Sequence, residues 1–305
     1  MSDNYNHLGL NKKDIELLSQ YNLTYMLDKI KNQQEVYELQ AMRLESALKR
    51  MEKNLLAARE AQMNLLPAEI RGVPELKFSA RFVPSQYVSG DIYNIFRLDE
   101  NNVGLYHIDI AGHGVAAALF SISLSHLLTT EASKRSLIKV HTDTPPYYKI
   151  VEPKEVITAL DEDHYYEQFG IYFTMVYMII NIRKRLVKFC RAGHNPPIVI
   201  RRNGDIDVFT EGSFPIGWGF SRSDMTIKFK YEPGDILFLH SDGISDAENK
   251  AGKPFTKKRL YRHLGVNHKK PVNENLDLLF EKLKTFCGRD SYEDDLSIIG
   301  LEFLK

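Results

Sequence analysis

Val103-Gly104-Leu105-Tyr106-His107-Ile108-Asp109-Ile110-Ala111-Gly112-His113-Gly114 starts as an apolar run rich in Val, Leu, Tyr and Ile and ends in a carboxylate trailed by glycines. Read as a strand over Val103–Asp109, it carries Asp109 to the rim of a packed sheet, and the glycines beyond let backbone or ligand approach closely. Ser89-Gly90-Asp91, Ser241-Asp242-Gly243 and Glu293-Asp294-Asp295 share that setting, an aspartate beside glycines or turns at the end of a β-run. A single Asp-Gly pair is a hairpin turn far more often than a ligand. Its recurrence at strand ends points to hard cations such as Mg2+ or Mn2+, because carboxylates gathered closely need positive charge between them. Two such ions could share one aspartate.

Outward from this stretch, β-rich runs punctuated by turn residues fill the chain after Pro67. Strands are expected at Lys77–Val83, Ile92–Leu98, Val103–Asp109, Phe173–Ile180, Leu186–Arg191, Ile198–Arg202, Asp207–Thr210, Met225–Tyr231, Ile236–His240 and Leu296–Phe303. Arg202-Asn203-Gly204-Asp205 is a hairpin signal, and Glu232-Pro233-Gly234-Asp235 a turn into an apolar strand, so antiparallel pairing follows. Helical patterns at Val115–Ser133, Pro153–Phe169 and Asn273–Phe286 leave helices and strands partly segregated, and the class is α+β. Lys134–Glu152, containing Pro145 and Pro146, reads as a surface excursion between helices.

From residue 14 to 66 there is no glycine or proline, and good helix formers dominate. Leu23, Leu27, Ile30, Gln34, Tyr37, Ala41, Leu44, Leu48, Met51, Leu55, Ala58, Gln62 and Leu65 alternate at steps of four and three, the seam of a heptad coiled coil. A helix of roughly 65 Å is too long to lie along one small domain, so a parallel homodimer is expected, with Gln34 and Gln62 as polar interruptions of the seam. The alternative is a helix packed on its own domain. Pro67 and Gly72 end it, which divides the chain into a helical dimerisation and regulatory segment, 1–66, and a second domain, 67–305.

Composition bounds the function. The 305 residues carry 40 Lys+Arg against 40 Asp+Glu, and 43% are hydrophobic. A sequence pI near 7.2 argues against a dedicated nucleic-acid binder. Met1–Asp14 lacks the basic start and apolar core of a secretion signal, and the apolar stretch Tyr172–Ile182 is too short and too β-branched for a membrane helix. Cys190 and Cys287 suggest neither a disulfide framework nor a zinc site. A cytoplasmic protein without membrane or nucleic-acid partners is expected.

Together these landmarks resemble the PPM family of metal-dependent protein serine/threonine phosphatases, in its bacterial SpoIIE/RsbU-like branch. The resemblance covers Ala61–Phe303 and rests on Ala61-Gln62-Met63-Asn64-Leu65-Leu66-Pro67, Val88-Ser89-Gly90-Asp91-Ile92-Tyr93, Asp109-Ile110-Ala111-Gly112-His113-Gly114, Ala192-Gly193-His194-Asn195-Pro196-Pro197, Phe214-Pro215-Ile216-Gly217, Pro233-Gly234-Asp235-Ile236-Leu237, Ser241-Asp242-Gly243-Ile244 and Asp294-Asp295-Leu296-Ser297, in that order. It implies a β-sandwich of two antiparallel sheets flanked by helices, with a centre for two Mn2+ or Mg2+ ions at one edge. Asp109 matches the bridging aspartate and the Ile110 carbonyl its neighbouring ligand. Asp91 matches the carboxylate of the second metal, directly or through waters, while Asp242 and Asp294 match ligands of the other. Asp295 supports Asp294, or the two exchange roles.

This chain departs from the branch pattern at Ser89, where glycine is frequent, and at Asn94, where aspartate is frequent. An amide there implies weaker bonding to the second metal's waters. His113 is either a general acid or phosphate contact or a loop-packing residue. His194 reads as a turn residue bracing the next strand. Trp218 lies on a glycine-flanked loop, either facing substrate or serving as a buried anchor. Asp161-Glu162-Asp163, Lys257-Lys258-Arg259 and His268-Lys269-Lys270 read as solvated charge.

The reading is an Mn2+- or Mg2+-dependent phosphoserine phosphatase of a partner-switching pathway. The resemblance implies a phosphorylated STAS-domain anti-anti-sigma-type protein as substrate, with an upstream regulator binding residues 1–66. The alternative is a catalytically weak scaffold of the same fold that holds a STAS or sensor protein. No Walker-type loop or GxGxxG cradle supports a nucleotide hydrolase.

Overall fold

The computed structural model describes residues 12–70, 72–112, 114–133, 136–162, 170–220 and 226–305. The elements run α1 (Lys12–Met63), β1 (Leu76–Val83), β2 (Ile92–Arg97), β3 (Asn102–Ile110), α2 (Val115–Leu127), β4 (Lys139–His141), β5 (Tyr148–Ile150), α3 (Pro153–Glu162), β6 (Phe173–Asn181), β7 (Leu186–Ala192), β8 (Ile198–Ile200), β9 (Ile206–Val208), β10 (Ile227–Lys230), β11 (Ile236–His240), α4 (Asp242–Asp246), α5 (Lys257–Val266), α6 (Val272–Cys287) and β12 (Leu296–Phe303). The chain separates into two compact units, Met1–Ala57 and Ala58–Lys305. In the first, α1 leaves Leu23, Leu27, Ile30, Leu44, Leu48 and Met51 exposed. Among the described residues no helix is long and apolar enough to cross a membrane.

The second unit is built on two five-stranded sheets, ordered β1-β12-β11-β8-β9 and β10-β7-β6-β3-β2. Every ladder between named strands is antiparallel, as expected for the α+β sandwich. Strand periodicity distributes the core. Val103 and Leu105 of β3, Val176 and Met178 of β6, and Ile299 and Leu301 of β12 point between the sheets. The alternate residues Tyr106, Ile108, Met175 and Tyr177 pack outward under α2 and α3. On the far face, Ile236, Phe238 and Ile298 pack against Leu260, Leu264, Leu276 and Leu279 of α5 and α6. The result is a helix, sheet, sheet, helix layering with apolar contact at each interface.

Several expectations change in three dimensions. Glu232-Pro233-Gly234-Asp235 leads into the apolar strand β11 as expected, but β10 and β11 lie in different sheets, so the turn crosses the sandwich instead of pairing its flanking strands. Asp235 pins that crossing by accepting from Arg201 Nη1 at 2.8 Å and from the Arg202 and Glu232 amides at 3.0 Å each. The 134–152 segment, expected as an excursion, contains the β4–β5 hairpin. Lys257-Lys258-Arg259 is solvated as expected, and it opens a helix that was not expected, α5, whose other face is buried. Asp161 is buried rather than solvated, and its Oδ1 accepts from the Gly217 and Gly219 amides at 2.7 and 3.2 Å. The helical pattern expected to reach Phe169 is seen as far as Glu162, and residues 163–169 lie outside the described ones.

Candidate metal centre

Residues 91, 93 and 95 share one parity, as do 103, 105, 107 and 109, and in both rows the apolar members face the sandwich interior. Asp91 and Asp109 therefore stand at one end of rows that are otherwise core. Asp109 pairs with Thr174 across the β3–β6 ladder. Asn94 belongs to the other row, with Ile92 and Phe96 under the helices, so the side chain expected near the second metal faces away from Asp91.

Asp109, Ile110, Asp242 and Asp294 line one pocket of about 500 Å³, together with Gly112, Tyr172, Thr174, Asp246, Glu248, Arg289, Tyr292 and Glu293. Glycines permit this convergence. A Cβ on Gly90 would meet the Ile110 and Gly112 carbonyls at 3.1 and 3.2 Å, and one on Gly243 would meet the Asp295 carbonyl at 2.2 Å. Gly243→Ala is expected to push the Asp294–Asp295 backbone away from Asp242 at a cost of about 1–3 kcal/mol. Thermal melting and phosphatase assay would show both a lower midpoint and a lost activity; unchanged values would mean the backbones are not held this close.

Asp91 and Asp295 do not line the pocket. Asp295 is buried and fully engaged: Oδ1 accepts from the Ser85 amide at 2.7 Å and hydroxyl at 2.9 Å, and Oδ2 from the Ser89 hydroxyl at 2.6 Å and the Gly90 amide at 2.8 Å. Its geometry is that of a clamp on the Ser85–Gly90 loop, with Asp294 on the pocket side. Ser89 has a use that glycine lacks, since its hydroxyl also accepts from the Asp91 amide at 3.0 Å.

Burial and then the charges of Asp242, Asp294 and Asp295 push the Asp109 carboxyl well above the usual carboxylate range. Burial followed by Asp109 and Asp295 does the same to Asp91, and burial followed by Asp246 raises Asp242. The Asp109 and Asp242 carboxyls are close enough that a proton carried by one would be shared with the other. Among the described residues no three or more His, Cys, Asp or Glu side chains are grouped as a ready-made metal cluster. The chemistry of the donor set nonetheless fits a divalent hard cation: Asp109, the Ile110 carbonyl, Asp242 and Asp294 bring oxygen donors to one pocket, and the raised carboxyls of Asp109 and Asp242 are ones that positive charge would relieve.

Sequence reasoning missed several contributors. Gln62, read as a seam residue, is buried, and its amide exchanges two hydrogen bonds with Ser89, Nε2 to the carbonyl at 2.7 Å and Oε1 from the backbone N–H at 3.0 Å. The available signal was a polar side chain interrupting the heptad seam immediately before the helix exit. Arg289, on the pocket wall, pairs with Glu293 at 2.9 Å. Trp218 is exposed and lies 5.4 Å, ring to ring, from Tyr172 of the pocket. His194 is buried and bonds to His107 and Thr174. His113 lies outside the described residues. Cys190 and Cys287 are buried free thiols.

A family model described as Stage II sporulation protein E (SpoIIE) matches residues 99–304. The chain belongs to the SpoIIE family. Protein IcfG of Synechocystis is 25% identical over 291 residues, covering 91% of this SpoIIE-family chain and 44% of that protein. The phosphoserine phosphatase RsbP of Bacillus subtilis is 25% identical over 199 residues, covering 64% of this chain and 45% of RsbP. The chain thus spans less than half the length of these curated relatives. The SiaA PP2C domain of Pseudomonas aeruginosa superposes with a TM-score of 0.67 at 20% identity, over 84% of this chain and 98% of that one. The PP2C phosphatase domain of SpoIIE from Bacillus subtilis, with a fragment of its regulatory domain, gives 0.56 at 20% identity, over 74% and 63%. The sandwich is the PPM phosphatase fold of the SpoIIE/RsbU-like branch.

Proposed function

We propose that this chain is a divalent-cation-dependent protein phosphatase that hydrolyses phosphoserine. The observation that carries the reading is the meeting of Asp109, Asp242 and Asp294, from segments far apart in sequence, around one pocket. Asp109, the Ile110 carbonyl, Asp242 and Asp294 would hold the cations, with Asp91 supporting them directly or through waters. Mn2+ or Mg2+ bound there supplies Lewis acidity toward phosphoryl oxygens and lowers the pKa of water. The chain's own part is to hold that charge and orient the phosphate. Arg289, the cationic side chain among those lining the pocket, is positioned to exchange Glu293 for a phosphate oxygen. No protein nucleophile is needed, and both thiols are buried.

The substrate proposed is a phosphorylated STAS-domain protein in a partner-switching pathway, supported by family membership and by the likeness to RsbP. A second copy of the chain is proposed to cover the exposed seam of α1, making a cytoplasmic homodimer, with an upstream regulator acting through residues 1–66. The Gln62–Ser89 bonds support a signal path from the end of α1 to the loop carrying Asp91. Incubating the protein with a serine-phosphorylated STAS protein and Mn2+ is expected to release phosphate, and chelation to stop it. No metal-dependent release from that substrate or from a generic phosphomonoester would refute the enzyme and leave the scaffold.

A further inference from the structure

The polar end of the sandwich interior contains one continuous chain of side chains. Thr174 Oγ1 lies 2.7 Å from His194 Nδ1, His194 Nε2 lies 3.0 Å from His107 Nδ1, and His107 Nε2 lies 2.7 Å from Ser297 Oγ. The Ser297 hydroxyl donates to Asp91 Oδ2. The two imidazoles meet edge to face, 4.6 Å between centroids, and both are buried. Thr174 lines the pocket, so the chain starts on the pocket wall and ends on Asp91.

Its polarity follows step by step from donor and acceptor inventory. Because Ser297 donates to Asp91, its oxygen is left to accept from His107 Nε2–H. That leaves His107 Nδ1 bare, and it accepts from His194 Nε2–H. His194 Nδ1 is then bare in turn and accepts from the Thr174 hydroxyl. Every donation runs the same way, and every imidazole nitrogen in the chain has a partner. Two N–H groups facing each other at the imidazole contact would repel, which excludes a doubly charged pair. Burial also disfavours the charged form of both rings.

Asp91 is a buried carboxylate with Asp109 and Asp295 as neighbouring charges, so its orientation depends on the donors aimed at it. We propose that His107 and His194 are positioning residues of the metal centre, which act through Ser297 to present Asp91 in a single orientation to the cation or its waters. This role rests on the metal-dependent reading above. Hydrogen-bond partners of ligating groups commonly govern metal affinity by 10- to 100-fold.

The test is calorimetric Mn2+ binding to the full chain, alongside phosphatase turnover as a function of Mn2+. His194→Phe and Ser297→Ala are expected to weaken Mn2+ binding about tenfold or more, with turnover largely recovered at saturating Mn2+. His194→Gln can donate to His107 and accept from Thr174, so it should bind Mn2+ within about threefold of wild type. Folded His194→Phe and Ser297→Ala proteins with wild-type Mn2+ affinity would overturn the proposal. Should His194→Phe fail to fold, Ser297→Ala decides, because it removes one oxygen and adds no volume. A wild-type chain that binds no Mn2+ would instead remove the metal-centre reading, and this inference with it.

Discussion

Asp109→Asn is expected to lower metal-dependent phosphatase turnover by about 10³-fold or more while making the metal-free protein more stable. The two effects have one cause. Asp109 is crowded by Asp242, Asp294 and Asp295 in a buried site, so without a cation its ionised form is disfavoured. A group whose folded pKa is raised costs stability as pH climbs above the ordinary carboxylate range, because the unfolded chain ionises first. An amide of the same shape removes that cost and can donate to Asp242. Each 1 kcal/mol gained should raise the melting midpoint by about 2–4 °C. Adding Mn2+ at about 100 times its dissociation constant should stabilise wild type by about 2.7 kcal/mol and leave the variant unmoved. Melting with and without Mn2+ and a turnover assay check both. An Asp109→Asn protein that kept turnover within about tenfold of wild type would show that the bridging role lies elsewhere.

The second large effect is acid lability carried by buried imidazoles. His107, His194 and His240 are all buried. Burial lowers His107 to about 3 and His240 to about 4, and it takes His194 well below the ordinary histidine value, helped by the other two rings, Arg191 and Lys257. Their stabilising contribution is complete above about pH 6.5 and is lost as pH falls, because the unfolded chain takes up protons the folded chain refuses. Each ring contributes about 1.4 kcal/mol per pH unit. The raised carboxylates Asp91, Asp109 and Asp242 act with the opposite sign over the same range in the metal-free protein, so the total slope is a poor measure. Comparing two proteins cancels the shared carboxylate contribution. His194→Gln should be less acid-sensitive than wild type by about 1.4 kcal/mol per pH unit below about pH 6, read from urea unfolding in chelator at several pH values. Parallel pH dependences would mean that His194 is not kept neutral in the fold.

Much of the architecture was legible because its signals are local. The strand runs at Ile236–His240 and Leu296–Phe303 appear with the bounds expected, since each is an apolar β-rich run closed by turn residues. The hairpin joining β8 and β9 was carried by Asn203-Gly204, with Gly204 at φ 94°. The β4–β5 hairpin was missed because its strands are three residues each, too short to show a period. The opening of α5 was missed because Lys257-Lys258-Arg259 shows only its solvated side. Asp161 was misread because burial of a carboxylate depends on the donors that reach it, here amides of the Gly217–Gly219 loop from far along the chain.

For the site, the sequence determined which aspartates stand at strand ends, because the glycines and turn residues around them constrain the backbone locally. It determined the alternation that puts Asp109 in the same row as Val103 and Leu105. Only the tertiary structure decided that Asp294 faces the pocket while Asp295 clamps the Ser85–Gly90 loop, that Asn94 points away, and that Gln62 and the Thr174, His194, His107 and Ser297 chain serve the same end of the sandwich. Asp294 and Asp295 lie in the irregular segment just before β12, where no strand alternation tells which of the two carboxyls faces the pocket. Hydrogen-bond partners drawn from different strands exist only once the two sheets are packed face to face.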